Sequence, residues 1–152
     1  MDVKNNKKMF EFKQNKNNDW YPVLKLDTGE INIEMPDNKI DKECLEEFLI
    51  FYSQNHLKQI KKARNAFKSL AKAIGWWKTE DLNRGEFNLN DITIKYLHCN
   101  NMVNTYYKFG KIEYELYFSF EGDENHFYID TYGLWIASFE GEHLTGVKRE
   151  QI

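Results

Sequence analysis

Between Leu45 and Ile74, core-type side chains return at steps of three and four: Leu45, Phe48, Leu49, Tyr52, His56, Ile60, Ala63, Phe67, Leu70 and Ile74. That spacing matches the helical turn and sets these residues on one face. Such a stripe must be buried against a second layer, so the rest of the chain has to supply one. Asp41 is a good N-cap, Glu43 suits the positive end of the helix, and Gly75 is a natural stop. Unbroken from 41 to 74, the helix would measure about 51 Å, long for a compact domain of this size. A bend near Ser53-Gln54-Asn55 is therefore expected, giving two helical segments.

The second layer reads as antiparallel sheet. Residues 21–26 and 31–35 alternate like strands around Asp27-Thr28-Gly29-Glu30, and the glycine supplies the positive φ that a tight hairpin needs. After the helix and a loop over 79–85, strand-like segments run over 87–97, 102–109, 112–120 and 127–139, the last broken near Gly133, with 143–148 as a further edge strand. The short turns between them leave no room for crossover helices, so neighbours should pair antiparallel. The expected fold is α+β: an N-terminal β-hairpin, a long or bent helix in two segments, then a β-meander with the helices packed on one face. Ile112, Tyr114, Leu116, Phe118 and Phe120 should meet the helix, while Glu113, Glu115, Tyr117 and Ser119 face away.

The 152 residues fit one domain over 1–152, with a polar and partly flexible segment over 1–18. No apolar run reaches the ~20 residues that span a bilayer, and the lysine-rich start lacks a signal peptide's apolar stretch, so a cytoplasmic location is expected. Cys44 and Cys99 stand far apart without ligand-like spacing, and both are expected to be reduced.

Catalytic motifs are missing. Neither the Walker pattern nor the dinucleotide fingerprint occurs, and no serine has the flanking glycines of a nucleophile elbow. His98-Cys99 is the best catalytic pair on offer, but adjacent strand residues point to opposite faces. Asp123-Glu124-Asn125-His126 with Asp130 gathers metal-type ligands without the calcium-loop pattern. The reading is therefore no catalytic residues, no metal and no cofactor.

Charge is polarised along the chain. From His56 to Lys78 there are seven bases and no acid; from Ile112 to Val147 there are eight acids and no base. The plainest account is that the two regions attract one another or are solvated faces. The functional account makes the acidic face, Glu113, Glu115 and Tyr117 with Asp123, Glu124, Glu140 and Glu142, a docking surface for a basic partner. The alternative working face is the basic helix, Lys58, Lys61, Lys62, Arg64, Lys68 and Lys72, which could follow phosphates or nucleic acid.

The element order, the stretch Leu45-Glu46-Glu47-Phe48-Leu49-Ile50-Phe51-Tyr52-Ser53-Gln54-Asn55-His56-Leu57, and the ending from Asp130-Thr131-Tyr132-Gly133-Leu134-Trp135 to Arg149-Glu150-Gln151 resemble small bacterial immunity proteins. These stand beside polymorphic or contact-dependent toxins. The resemblance implies a non-catalytic protein that neutralises a toxin by tight protein-protein binding. A nucleic-acid or phosphate-binding module, or a small phage or bacterial accessory protein, is the alternative.

Overall fold

In a computed structural model of the chain, residues 9–27, 29–35, 42–75, 78–98, 111–122, 130 and 132–152 are described. The strands β1 (Phe10–Gln14), β2 (Trp20–Leu26) and β3 (Gly29–Glu34) precede the helices α1 (Lys42–Ile74) and α2 (Thr79–Leu82). Then follow β4 (Gly85–His98), β5 (Lys111–Gly122), β6 (Gly133–Glu140) and β7 (His143–Gln151). The strands form one seven-stranded sheet in sequence order, and α1 packs on one face of it. The α+β class expected from the sequence is the observed one.

Two details differ from expectation. First, α1 runs unbroken through Ser53-Gln54-Asn55. The triplet is absorbed because the Ser53 hydroxyl and the Asn55 amide donate to carbonyls one turn back, Leu49 at 2.7 Å and Phe51 at 2.9 Å. Nor is the helix too long for its support: β4 and β5, of 14 and 12 residues, reach roughly 40 Å or more at ~3.3 Å per residue. The second helical element is instead the single turn α2 after Gly75, whose φ of 85° suits a glycine stop. Secondly, β3 and β4 pair in parallel, Ile33 with Ile92 and Glu34 with Thr93, because the helix between them carries the chain back to the starting end of the sheet. Every other neighbouring pair is antiparallel.

The polar start contains a strand that the sequence reading passed over. Phe10 and Phe12 alternate with Glu11 and Lys13 in β1, and an asparagine-rich turn leads on to β2. There the Asn15 side chain accepts from the amides of Asn17 (2.8 Å) and Asp19 (3.0 Å). Asn18 takes a φ of 63°, a conformation that asparagine tolerates better than other side chains. The Asp41 cap and the strand expected over 102–109 lie outside the described residues.

Alternation in β5 is as read: Ile112, Tyr114, Leu116, Phe118 and Phe120 are all buried. Along α1, Leu45, Phe48, Leu49, Tyr52, His56, Ile60, Ala63 and Phe67 are buried, whereas Leu70 is half-buried and Ile74 exposed, with Ala71 in the core instead. The helix follows β5 in direction. Phe48 and Tyr52 meet Tyr114, and farther along Phe67 meets Phe118, Phe87 of β4 and Trp135 of β6 at centroid distances of 5.0 to 5.6 Å. No helix among the described residues is long and apolar enough to cross a membrane.

Cys44, buried in the first turns of α1, is disulfide-bonded, which corrects the expectation of a reduced thiol. The chain's other cysteine, Cys99, lies outside the described residues. Disulfides persist in oxidising surroundings, which sets this bond against the cytoplasmic location expected from the sequence.

Two stability measurements check this arrangement. Phe67→Ala should cost about 3 to 5 kcal/mol, since the emptied space is bounded by three other rings, and an unchanged denaturant midpoint would remove Phe67 from the core. Reductant should lower the thermal midpoint by the equivalent of roughly 2 to 4 kcal/mol; a midpoint indifferent to reductant would mean that Cys44 is a free thiol.

Candidate functional site

With α1 on one face of the sheet, the described residues present two contrasting surfaces: the opposite face of the sheet and the outer ridge of the helix. Register assembles the sheet face. Glu113 lies opposite Tyr96 of β4 on one side and Glu140 of β6 on the other. Below that row, Glu115 lies between Thr93 and Ser138, and Tyr117 between Asp91 and Ile136, with Lys148 of β7 beyond. Glu113, Glu115, Tyr117 and Glu140 therefore share a face, as the alternation implied.

The row is not base-free, however. Although the Ile112–Val147 stretch holds no lysine or arginine, adjoining segments deliver them. Lys95 Nζ lies 3.1 Å from Glu115 Oε1, and Lys111 Nζ lies 3.2 Å from Glu113 Oε1. Glu115 is the most enclosed of these carboxylates, its side chain 14% exposed, and Tyr117 (2.9 Å) and Ser138 (3.2 Å) both donate hydroxyl hydrogens to it. Burial pushes its pKa up, but these hydrogen bonds and the Lys95 charge outweigh burial and hold it below the ordinary carboxylate value. For the same reasons Tyr117, partly buried and donating to a carboxylate, is pushed up to about 12. Glu115 is thus a structural anion within a polar cluster.

Glu113 and Glu140 differ from it. They are like charges directly opposite one another on an antiparallel pair, a placement that works against the sheet. Lys111 is the one described cation paired with Glu113, and it also lies 6.0 Å from the centre of the Tyr96 ring, which is 47% exposed. Glu142 belongs elsewhere. It sits in the β6–β7 turn, where its carbonyl accepts from Lys62 Nζ of α1 at 2.7 Å. Asp123 and Glu124 lie outside the described residues.

The basic helix also divides. Lys62 is bound to that turn, and Arg64 donates through Nε to the Phe87 carbonyl at 2.9 Å. Lys58, Lys61, Lys68 and Lys72 are exposed on the outer ridge and form no ion pair among the described residues. The same ridge carries Leu57, 81% exposed, and Ile50.

Among the described residues no three histidine, cysteine or carboxylate side chains gather as a metal site. Asp130, weighed as a ligand in the sequence, is engaged otherwise: it receives a two-pronged ion pair from Arg149, at 2.6 and 3.1 Å, and the Trp135 indole hydrogen at 2.6 Å. Gly133 faces this carboxylate so closely that a Cβ would lie 2.0 Å from Oδ2, which accounts for glycine there. His98 ends β4 opposite Lys111, and Cys99 is outside the described residues. His56 is buried against the Tyr52 hydroxyl at 2.9 Å; burial, then the charge of Arg64, lowers its pKa and favours the neutral ring.

Sequence reading missed three features. One is the Asp130–Trp135–Arg149 lock, signalled only by an acid and a tryptophan five residues apart. Another is buried Gln59, which donates 2.7 Å to the Tyr114 hydroxyl, itself a donor to the Gly141 carbonyl at 2.9 Å. The third is a cleft of about 650 Å³ beside β2 and β3, bordered by Trp20.

The lowered Glu115 pKa carries a pH dependence of known sign. The unfolded carboxyl titrates near its ordinary 4.5 and the folded one lower, so the stabilisation is complete above the unfolded value and is lost as pH falls through the folded value. Glu115→Gln should flatten the acid limb of the stability curve below about pH 4.5; an unchanged limb would show that the carboxylate is not specially held. No protein-family model, curated protein or solved structure gives a significant match to this chain.

Proposed function

We propose that this chain is a non-catalytic binding protein that captures a basic protein partner on the face of its sheet opposite the helix, in the manner of an immunity or inhibitor protein that neutralises a bacterial toxin. The observation that carries the reading is the Glu113–Glu140 pair beside half-exposed Tyr96. Directly opposed like charges disfavour the folded state, and an incoming lysine or arginine would relieve the repulsion. A tyrosine beside them offers the rigid, amphipathic contact common at interface centres. Glu115, anchored by Lys95, Tyr117 and Ser138, stiffens the platform without itself being available to a partner.

A second reading is favoured by the ridge of α1. Lys58, Lys61, Lys68 and Lys72 span roughly 21 Å of helix without ion-pair partners among the described residues, a spacing that suits a phosphate backbone. Leu57 and Ile50 on the same ridge fit a protein surface better than a polyanion.

The test is co-expression and co-purification with the polypeptide encoded beside this chain, followed by association kinetics at low and moderate salt. Glu113→Lys with Glu140→Lys should slow association and flatten its salt dependence. Glu140→Gln alone should leave stability unchanged or raise it by a few tenths of a kcal/mol while still slowing capture. Unaltered capture by the charge-reversed protein, with loss of capture on neutralising Lys58, Lys61, Lys68 and Lys72, would assign the work to the helix ridge.

A further inference from the structure

Among the described residues β7 is the last strand of the sheet and, with nine residues against five in β1, the longer of its two edges. A long edge invites pairing with another chain. Which of its main-chain groups face outward follows from one hydrogen bond, in which the Ile152 amide donates to the Tyr132 carbonyl at 2.8 Å, on the β6 side. In an antiparallel ladder, alternate residues turn both amide and carbonyl to the same neighbour. Glu150 and Lys148 therefore bond to β6, while Gln151, Arg149 and Val147 present their main chain to the outside. The register with β6 is regular from Gly146 to Gln151, the register shift lying before Gly146. No main-chain hydrogen bond to these outward groups occurs among the described residues.

Side chains alternate across the sheet. Val147, Arg149 and Gln151 stand on the helix side, opposite Ala137, Trp135 and Gly133 of β6, and Lys148 and Glu150 stand on the other. Lys148 Nζ lies 2.9 Å from Glu150 Oε1, and both side chains are about half exposed, at 57% and 49%. A strand with a lysine and a glutamate two residues apart is complementary to its own antiparallel copy. When Arg149 lies opposite its counterpart, each Lys148 lies opposite Glu150 of the second copy. Moving the two-fold axis to Lys148 or to Glu150 sets like charges face to face, and moving it to Val147 leaves Lys148 opposite a glycine. Charge therefore selects one register.

Hydrogen bonding selects the same one. With the axis at Arg149, that residue exchanges main-chain bonds with its counterpart and Val147 does so with Gln151, and all of these groups face outward. Lys148 and Glu150 then form the non-hydrogen-bonded pairs, in which facing side chains approach most closely. Arg149 does not oppose the pairing, because its guanidinium is neutralised by Asp130 and drawn back beside the Trp135 ring.

We propose that β7 is a dimerisation edge, which joins two copies of this chain by antiparallel β7–β7 pairing about a two-fold axis at Arg149. Both copies use the same surface, so the contact closes on itself and yields a dimer rather than a fibre. It is independent of the binding function proposed above and does not require a basic partner.

The test is sedimentation equilibrium of the full chain at low salt over rising concentration, with the thermal midpoint of each variant measured alongside. The unaltered chain should pass from monomer to dimer mass. Lys148→Glu or Glu150→Lys alone should weaken association about tenfold or more, since each places like charges opposite one another on both sides of the axis. The thermal midpoint should be nearly kept, because an exposed ion pair contributes little to stability. Mixing these two variants in equal amounts should restore association as a heterodimer, and Lys148→Glu combined with Glu150→Lys in one chain should restore self-association. A chain that stays monomeric at millimolar concentration, a dimer indifferent to both single reversals, or single variants that fail to associate when mixed would each overturn the proposal.

Discussion

The Phe67 ring touches Phe87, Phe118 and Trp135, one from each of three consecutive strands, and by that contact the helix is fastened across the middle of the sheet. From Trp135 the connection continues through the indole hydrogen to Asp130, and from Asp130 through a two-pronged ion pair to Arg149 of β7. Arg149 also lies 6.0 Å from the Trp135 ring centre. An apolar contact and an enclosed ion pair thus form one continuous path. The apolar part supplies most of the drive to fold, as rings of this size bury large areas. The charged part fixes which way the tryptophan points, at the cost of desolvating two ions.

How much of this was legible in the sequence follows from the range over which each signal acts. Helical periodicity and strand alternation are local, so α1 and the inward row of β5 could be read directly from residue spacing. The Phe10-Glu11-Phe12-Lys13 alternation was equally local but was masked by the lysines and asparagines around it. Register is non-local. Nothing within Ile112–Val147 announces that Lys95 will neutralise Glu115, because that contact exists only once β4 and β5 are aligned, whereas Lys111 reaches Glu113 from two residues back on the same strand, just outside the stretch. The bond at Cys44 was hidden for a related reason: two cysteines 55 positions apart carry no framework signal. The parallel β3–β4 pairing nevertheless brings the end of β4 to the same end of the sheet as the start of α1.

The candidate surfaces show the same division. The acidic residues of one strand were correctly assigned to one face, but they sort by partner rather than by sign. Glu115 is held inside a cluster, Glu113 and Glu140 oppose one another, and Glu142 belongs to the contact between the β6–β7 turn and α1. Charge density in the sequence therefore overstated the uniformity of the surface on both faces, since Lys62 and Arg64 of the basic helix are likewise engaged within the fold.

The way the first three strands join the rest of the sheet also bears on how the molecule loosens. The first three strands join the remaining four through a seam of two parallel rungs, Ile33–Ile92 and Glu34–Thr93, whereas β4 and β5 are zipped along nearly their whole length. Cooperative units of a protein separate where contacts between them are fewest. Rungs are not the whole of the contact here, however, because Phe10, Leu24, Ile31 and Ile33 of the β1–β3 ribbon are buried in the same core as Leu45, Phe48 and Leu49 of α1. Parting the seam would expose that core, so the ribbon is held to the rest of the sheet by side-chain burial more than by main-chain hydrogen bonds.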